Sequence, residues 1–379
     1  MKNKSLYAQK IGKKLIPGLS QILSKRPDQF APNSWPGYYS KAKGSKIWDL
    51  NSNKYLDMSI SSIGSVILGY ADEDVDRAVI KGIKKGNSSS LNSFEEIKLA
   101  KLLCKLHPWA KKVRYSKTGG EAMTIAVRIA RAFTKKDKIA ICGYHGWHDW
   151  YLAANLNSKN NLSGHWLSGV KPNGVPKVLK NTAFPFDYND TKKLKSILNK
   201  NKNQIAAVIL EPIRENYPQP GFLKEVLNLA KKHNAILIFD EISSGFRISN
   251  GGAHLKFNIN PDIAVFSKAI GNGYPIGAII GKSRVMSAAE ESLISSTQWS
   301  EKSGVIASIA TINKFIKNNT VNHLDKIGKL VQDGWLKYSK KHNIKIKISG
   351  IFPMSYLKFD YPQSNKIMTV YIQLMLDRN

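Results

Sequence analysis

Followed for the spacing of apolar and polar positions, the chain falls into three stretches. Up to about residue 35 the two are mixed, and Pro17-Gly18, Pro27 and Pro32 interrupt any regular element. Residues 44–49 and 54–58, separated by the polar turn Asn51-Ser-Asn53, predict a β-hairpin. From about residue 70 helical and strand patterns alternate. Residues 95–106 bring Ile97, Leu99, Leu102, Leu103 and Leu106 to one side of a helix. Residues 120–133 do the same with Ala122, Ile125, Ala126, Ile129, Ala130 and Phe133. The runs 139–142, 205–210, 235–239 and 263–266 are apolar without alternation, as expected of strands buried on both faces. Such strands form a mostly parallel sheet covered by helices, an α/β class. Beyond Met286, helices at 303–317 and 321–342 and strands at 344–349 and 354–359 predict a smaller α+β unit. The expected division is an N-terminal segment with the hairpin at 1–66, grouped with the small domain, a large α/β domain at 67–300, and the C-terminal small domain at 301–379.

Composition adds limits rather than identity. At 42% hydrophobic and 22% charged, the chain reads as an ordinary globular protein. Its longest apolar runs, such as Ile276-Gly-Ala-Ile-Ile280, have strand length, so no membrane association is expected. The start, Met1-Lys-Asn-Lys-Ser-Leu6, lacks the apolar core of a secretion signal. Only Cys104 and Cys142 occur, which excludes a disulfide framework and fits a reducing cytoplasm. The formal net charge of +31 raises the question of nucleic acid. Nine of the 58 basic residues are arginine, however, and the lysines are scattered among Asn and Ile. Arginine's fork is what reads phosphates and bases, so no nucleic-acid partner is expected.

The polar residues that could do chemistry stand where the strands end. In open α/β sheets ligands bind outside the carboxyl ends of the strands. Strand 139–142 runs into Gly143-Tyr-His-Gly-Trp-His-Asp149, and strand 205–210 into Glu211-Pro212. Strand 235–239 runs into Asp240-Glu241, and strand 263–266 into Ser267-Lys268. An acid and a lysine so placed are what a pyridoxal phosphate enzyme needs. The amine bonds the cofactor aldehyde, and the carboxylate keeps the pyridine nitrogen protonated so that the ring can accept electrons. A lysine by itself would more often be a solvated surface residue; its succession with Asp240 is the argument. Lys117-Thr-Gly-Gly-Glu121 opens the helix at 120–133, and its glycines, amides and Thr118 hydroxyl suit a phosphate, though a simple cap would look alike. His145, His148 and Asp149 lack further ligands at a standard metal spacing, so no metal is expected. The Gly271–Gly277 loop has the wrong spacing for a dinucleotide fingerprint.

In this order, Thr118-Gly-Gly-Glu-Ala122, Tyr144-His-Gly146, Glu211-Pro212, Asp240-Glu-Ile-Ser-Ser-Gly-Phe-Arg247, Ser267-Lys268-Ala269, Gly271-Asn-Gly-Tyr-Pro275 and Thr297, the motifs resemble those of class III pyridoxal-phosphate aminotransferases. The likeness spans roughly residues 12 to 379 and is strongest to the glutamate-1-semialdehyde 2,1-aminomutase branch. It implies fold type I, with pyridoxal 5'-phosphate on Lys268 and Asp240 paired to the ring nitrogen. It implies that Tyr144 stacks on one ring face and Ile242, where relatives usually carry Val, packs on the other. Thr118, Gly119 and Gly120 would hold the phosphate, and His145 and Glu211 would join the cofactor-binding set. Thr297 would reach the cofactor of a partner subunit, making a homodimer.

The pattern also departs from the family. Lys117-Thr-Gly-Gly stands for the usual Asn-Ser-Gly-Thr, Ile63 and Tyr70 for Trp and His, and Ser300-Glu-Lys302 for Gly-Asn-Pro. Relatives continue for a few dozen residues past Asn379, so the small domain is expected to be incomplete. The implied activity is transfer of an amino group between a small amino donor and a carbonyl acceptor. The alternative is the intramolecular conversion of glutamate 1-semialdehyde to 5-aminolevulinate. Arg26 is the candidate anchor for a substrate carboxylate.

Overall fold

Seven strands form the central sheet, and the unbroken apolar runs supply its middle. The computed structural model describes residues 3–59, 61–158, 160–165, 170–213 and 215–378. An antiparallel unit comes first: β1 (Tyr39–Lys43), β2 (Lys46–Asp49) and β3 (Lys54–Leu56). The expected hairpin is β2–β3, and β1 adds an exposed, lysine-rich strand that the apolar pattern does not mark. The sheet that follows contains β4 (Lys112–Ser116), β5 (Lys138–Cys142), β6 (Ala183–Pro185), β7 (Ile205–Leu210), β8 (Ile236–Asp240), β9 (Ile263–Phe266) and β10 (Gly277–Gly281). Their order is β4-β10-β9-β8-β7-β5-β6. β10 runs antiparallel to β4 and β9, and the remaining pairs are parallel.

Burial explains why these strands lack alternation. Every residue of β7, β8, β9 and β10 is buried, because successive side chains enter cores on opposite faces. Ile209, Ile238 and Val265 pack under the helix Gly119–Thr134, through Ala122, Ile125, Ala126 and Ile129. Val208, Leu210, Leu237 and Phe239 face the helices Thr191–Lys200 and Phe222–Lys232. Ala264, Phe266, Ala278 and Ile280 face Leu99 and Leu103 of the helix Phe94–Leu106, and Val305, Ile312 and Phe315 of the helix Ser303–Lys317. A smaller antiparallel pair, β11 (Ile346–Ser349) and β12 (Tyr356–Phe359), lies with the helices Thr320–Lys341 and Ser364–Leu376. Among the described residues no helix is long and apolar enough to cross a membrane.

Candidate active site

Asp240 closes β8 and is only 2% exposed. One of its carboxylate oxygens accepts the backbone N–H of Ile242 at 3.0 Å, and the other meets His145 Nδ1 at 2.8 Å. His145, on the loop after β5, is itself buried, and its Nε2 has no hydrogen-bond partner among the described residues. The ring of Tyr151 stands edge-on to His145 at 5.6 Å, and the Tyr151 hydroxyl donates to the Gly143 carbonyl at 2.8 Å. Tyr144 also meets Tyr151 edge-on, at 6.1 Å.

Glu211, just past β7, fixes the same loop. Its Oε2 accepts the Tyr144 N–H at 3.0 Å. Gly143 has φ +116°, and a Cβ there would lie 2.6 Å from that oxygen, so the loop needs glycine at this position. The carboxylate therefore acts on the backbone of Tyr144.

Lys268 follows β9 by two residues, on the strand adjacent to Asp240; Asp240 and Val265 are partners in register. Its backbone is left-handed, with φ 46°, which is unfavourable for a lysine and is held by the turns around it. Its Nζ donates to Ser243 Oγ at 2.8 Å. Behind Ser243, the buried Arg247 donates from Nε to the Ser243 carbonyl at 2.5 Å and from Nη2 to the Gly64 carbonyl at 2.6 Å. Burial pulls the Arg247 guanidinium down to about 10. Asn272, in the turn after Lys268, binds the Leu68 N–H at 2.8 Å and the Gly69 carbonyl at 3.1 Å. Residues 64–69 are thus tied to the lysine turn. Ser243 and Arg247 carry no role in the sequence reading; the available signal is their place as polar residues on the run that leaves β8.

At the start of the helix Gly119–Thr134, Thr118 is the cap. Its hydroxyl accepts the Glu121 N–H at 3.3 Å, and Glu121 accepts the N–H groups of Thr118 and Lys117 at 2.9 and 3.0 Å. The amides of the first turn lack intrahelical acceptors and carry the positive end of the helix dipole. A Cβ on Gly119 would fall 2.9 Å from Ile242, and one on Gly120 would fall 2.9 Å from His148. The helix start is thereby pressed against the segment that follows Asp240.

The structure brings Asp240, His145, Tyr144, Glu211, Ile242, Gly119, Gly120, Thr118 and Lys268 to the carboxyl ends of β4, β5, β7, β8 and β9. Thr297 is exposed, at the start of the single turn Thr297–Ser300. Arg26 is occupied by Asp28, which it grips through two contacts of 3.1 and 2.5 Å. Among the described residues no group of His, Cys, Asp and Glu could hold a metal ion.

The chain is similar to known proteins. The family described as Aminotransferase class-III matches residues 30–370. The 3-aminobutyryl-CoA aminotransferase of Cloacimonas acidaminovorans is 34% identical over 97% of this chain and 87% of its own length. The glutamate-1-semialdehyde 2,1-aminomutase of Methanosphaera stadtmanae is 33% identical over 86% of this chain and 77% of its own. Among solved structures, the PLP-bearing FumI protein of Sphingopyxis sp. MTA144 superposes with a TM-score of 0.85 at 19% identity, covering 99% of this chain and 96% of that one. That likeness carries the fold.

Proposed function

This chain belongs to the class-III aminotransferases, pyridoxal-phosphate enzymes of fold type I, and from that premise we propose that it transfers an amino group between a small amino donor and a carbonyl acceptor with the cofactor on Lys268. When bound, the cofactor supplies an electrophilic aldehyde and a ring that accepts electrons from the substrate. The residues present fit it. A buried acid, an amine on the adjacent strand and a glycine-backed helix start answer to ring nitrogen, aldehyde and phosphate. The observation that carries the reading is the buried Asp240–His145 pair, 2.8 Å apart, one strand from the Lys268–Ser243 contact.

Asp240 would hold a proton on the ring nitrogen, and His145 and the Ile242 N–H keep its carboxylate aimed and desolvated. Tyr144 and Ile242 would cover the two ring faces and keep water from them. The amides of Gly119 and Gly120, with Thr118, would bind the phosphate. The Lys268 amine would take the proton from the substrate α-carbon and return it. Glu211 would serve by holding Tyr144 in place. A substrate carboxylate that used Arg26 would have to displace Asp28.

The reading includes a homodimer in which Thr297 reaches the partner's cofactor. It also includes a cytoplasmic location, in keeping with the unbridged Cys104 and Cys142. The aminomutase reading shares every cofactor residue and is favoured by the relatives of that name, among them that of Thermosipho melanesiensis at 36% identity. The test is to present a panel of amino donors to the purified holoenzyme and follow its absorption. Conversion to the pyridoxamine form with release of the keto product is expected. Formation of 5-aminolevulinate from the semialdehyde without any donor would install the alternative, and no spectral response to either would defeat both.

A further inference from the structure

Lys117 and Glu301 join two segments that the proposed function uses separately. Lys117 lies between β4 and Thr118, immediately before the phosphate-binding helix start. Glu301 follows the turn Thr297–Ser300 and precedes the helix Ser303–Lys317. The Lys117 ammonium contacts the Glu301 carboxylate and also donates to the Glu301 carbonyl at 2.9 Å. Both side chains are 12% exposed, so solvent screens the pair weakly and either charge left alone would be poorly hydrated.

Each end is fixed independently. The Lys117 N–H is held by Glu121 Oε2 at 3.0 Å, the same oxygen that holds the Thr118 N–H. The Glu301 carboxylate accepts the Ser303 N–H at 2.8 Å and the Ser303 hydroxyl at 3.0 Å, satisfying the first amide of its helix. That helix in turn presses on the loop after Lys268: a Cβ on Gly304 would come within 2.2 Å of the Pro275 carbonyl oxygen. An ion pair anchored in this way at both ends transmits position rather than merely adding attraction. Both residues stand at departures from the family pattern, and the structure couples those two departures.

We propose that Lys117 and Glu301 are positioning residues that set the Thr297 turn relative to the Thr118–Gly120 cradle, so that the grip on the cofactor depends on their pairing. This rests on the proposed function above. Where Thr297 serves the partner's cofactor, the pair links the cradle of one subunit to the hydroxyl that completes the other.

The test measures the dissociation constant for pyridoxal phosphate, by absorption and fluorescence, in Lys117→Met, Glu301→Gln and the double variant, each with and without Thr297→Ala. Each single change is expected to weaken binding roughly tenfold, and the double change no further than the worse single. Thr297→Ala should weaken the parent but add little once the pair is broken, and Lys117→Arg should retain parental affinity. Parental affinity in both single variants, or losses that multiply with Thr297→Ala, would overturn the proposal. Glu301→Gln leaves an oxygen to accept the Ser303 N–H and an amide that can donate to the Ser303 hydroxyl, and is the variant to rely on should Lys117→Met not fold, as judged by circular dichroism and melting. Were the parent itself not to take the cofactor on Lys268, or to be a monomer with full occupancy, the underlying reading would fall and the proposal with it.

Discussion

Asp240 illustrates how a single carboxylate acquires a role from its position. It ends a buried strand, loses nearly all its solvent, and regains two hydrogen bonds, from Ile242 N–H and His145. Asp240→Asn keeps the shape and removes the charge. Losing a charge-assisted hydrogen bond costs about 1.5–3 kcal/mol, or roughly 10- to 150-fold, and an electrostatic role in the transition state can exceed that. Turnover is therefore expected to fall by at least that range while cofactor affinity changes less, because the helix start remains. Steady-state kinetics beside a cofactor titration check the split; near-parental turnover would remove the ring-nitrogen role. The strand-end positions of Lys268, Asp240, Tyr144 and His145 are legible in the sequence because each follows a short apolar run of strand length. Ser243, Arg247 and the Lys117–Glu301 pair are not. The partner of Arg247 in the Gly64 turn lies 183 residues away, and Glu301 lies 184 from Lys117, distances at which local pattern carries no signal.

At the scale of elements, the strand ends are bolted by a buried polar network beside the site. The Glu241 carboxylate, fully enclosed, accepts from His254 Nδ1 at 2.8 Å and from the N–H groups of Ala253 and His254, both at 2.9 Å. Trp109 donates to His254 Nε2 at 3.1 Å. His107 next to it receives the Gly252 N–H on Nε2 at 3.0 Å and bonds the Leu103 carbonyl through Nδ1 at 2.9 Å, an arrangement that requires neutral imidazole. Burial, with the neighbouring His254, holds His107 down at about 4 against an ordinary 6.5. The unfolded chain then binds a proton that the folded chain refuses between those values. Stability should fall as pH drops from 6.5 to 4, by at most about 1.4 kcal/mol per pH unit from this group. Melting temperatures across that window should slope less steeply in His107→Gln than in the parent; parallel curves would contradict the assignment. The helices and strands that the apolar pattern marks match to within a residue or two, as with residues 303–317 and 205–210, but the pattern does not mark the helices Lys4–Leu15, Glu73–Ile83, Thr191–Lys200 and Phe222–Lys232. β4 escaped because its Lys112-Val-Arg-Tyr-Ser116 pattern is half-buried, and β6 because three residues carry no period. The antiparallel course of β10 follows from a short return loop after Lys268 that apolar spacing does not encode.

At the scale of the molecule, the α/β class and the mostly parallel sheet follow from runs that would be insoluble unless covered on both faces. What needs a second chain is less visible. Thr297 is exposed in this chain, and the role proposed for it needs a neighbouring subunit. The holoenzyme is expected to scatter light as a dimer, and Thr297→Ala to loosen the cofactor at every site of it. A monomer with full cofactor occupancy would contradict the shared site. The charge of +31 sets the expected medium rather than the function: at low ionic strength two copies of the chain repel, so the proposed pairing should strengthen with salt.

The central claim, that Lys268 carries the cofactor, is tested most directly by reducing the holoenzyme with borohydride and mapping the peptides. The pyridoxyl group should be found on the peptide containing Lys268 and nowhere else. A label on any other lysine, or none on a folded and cofactor-saturated protein, would contradict the account.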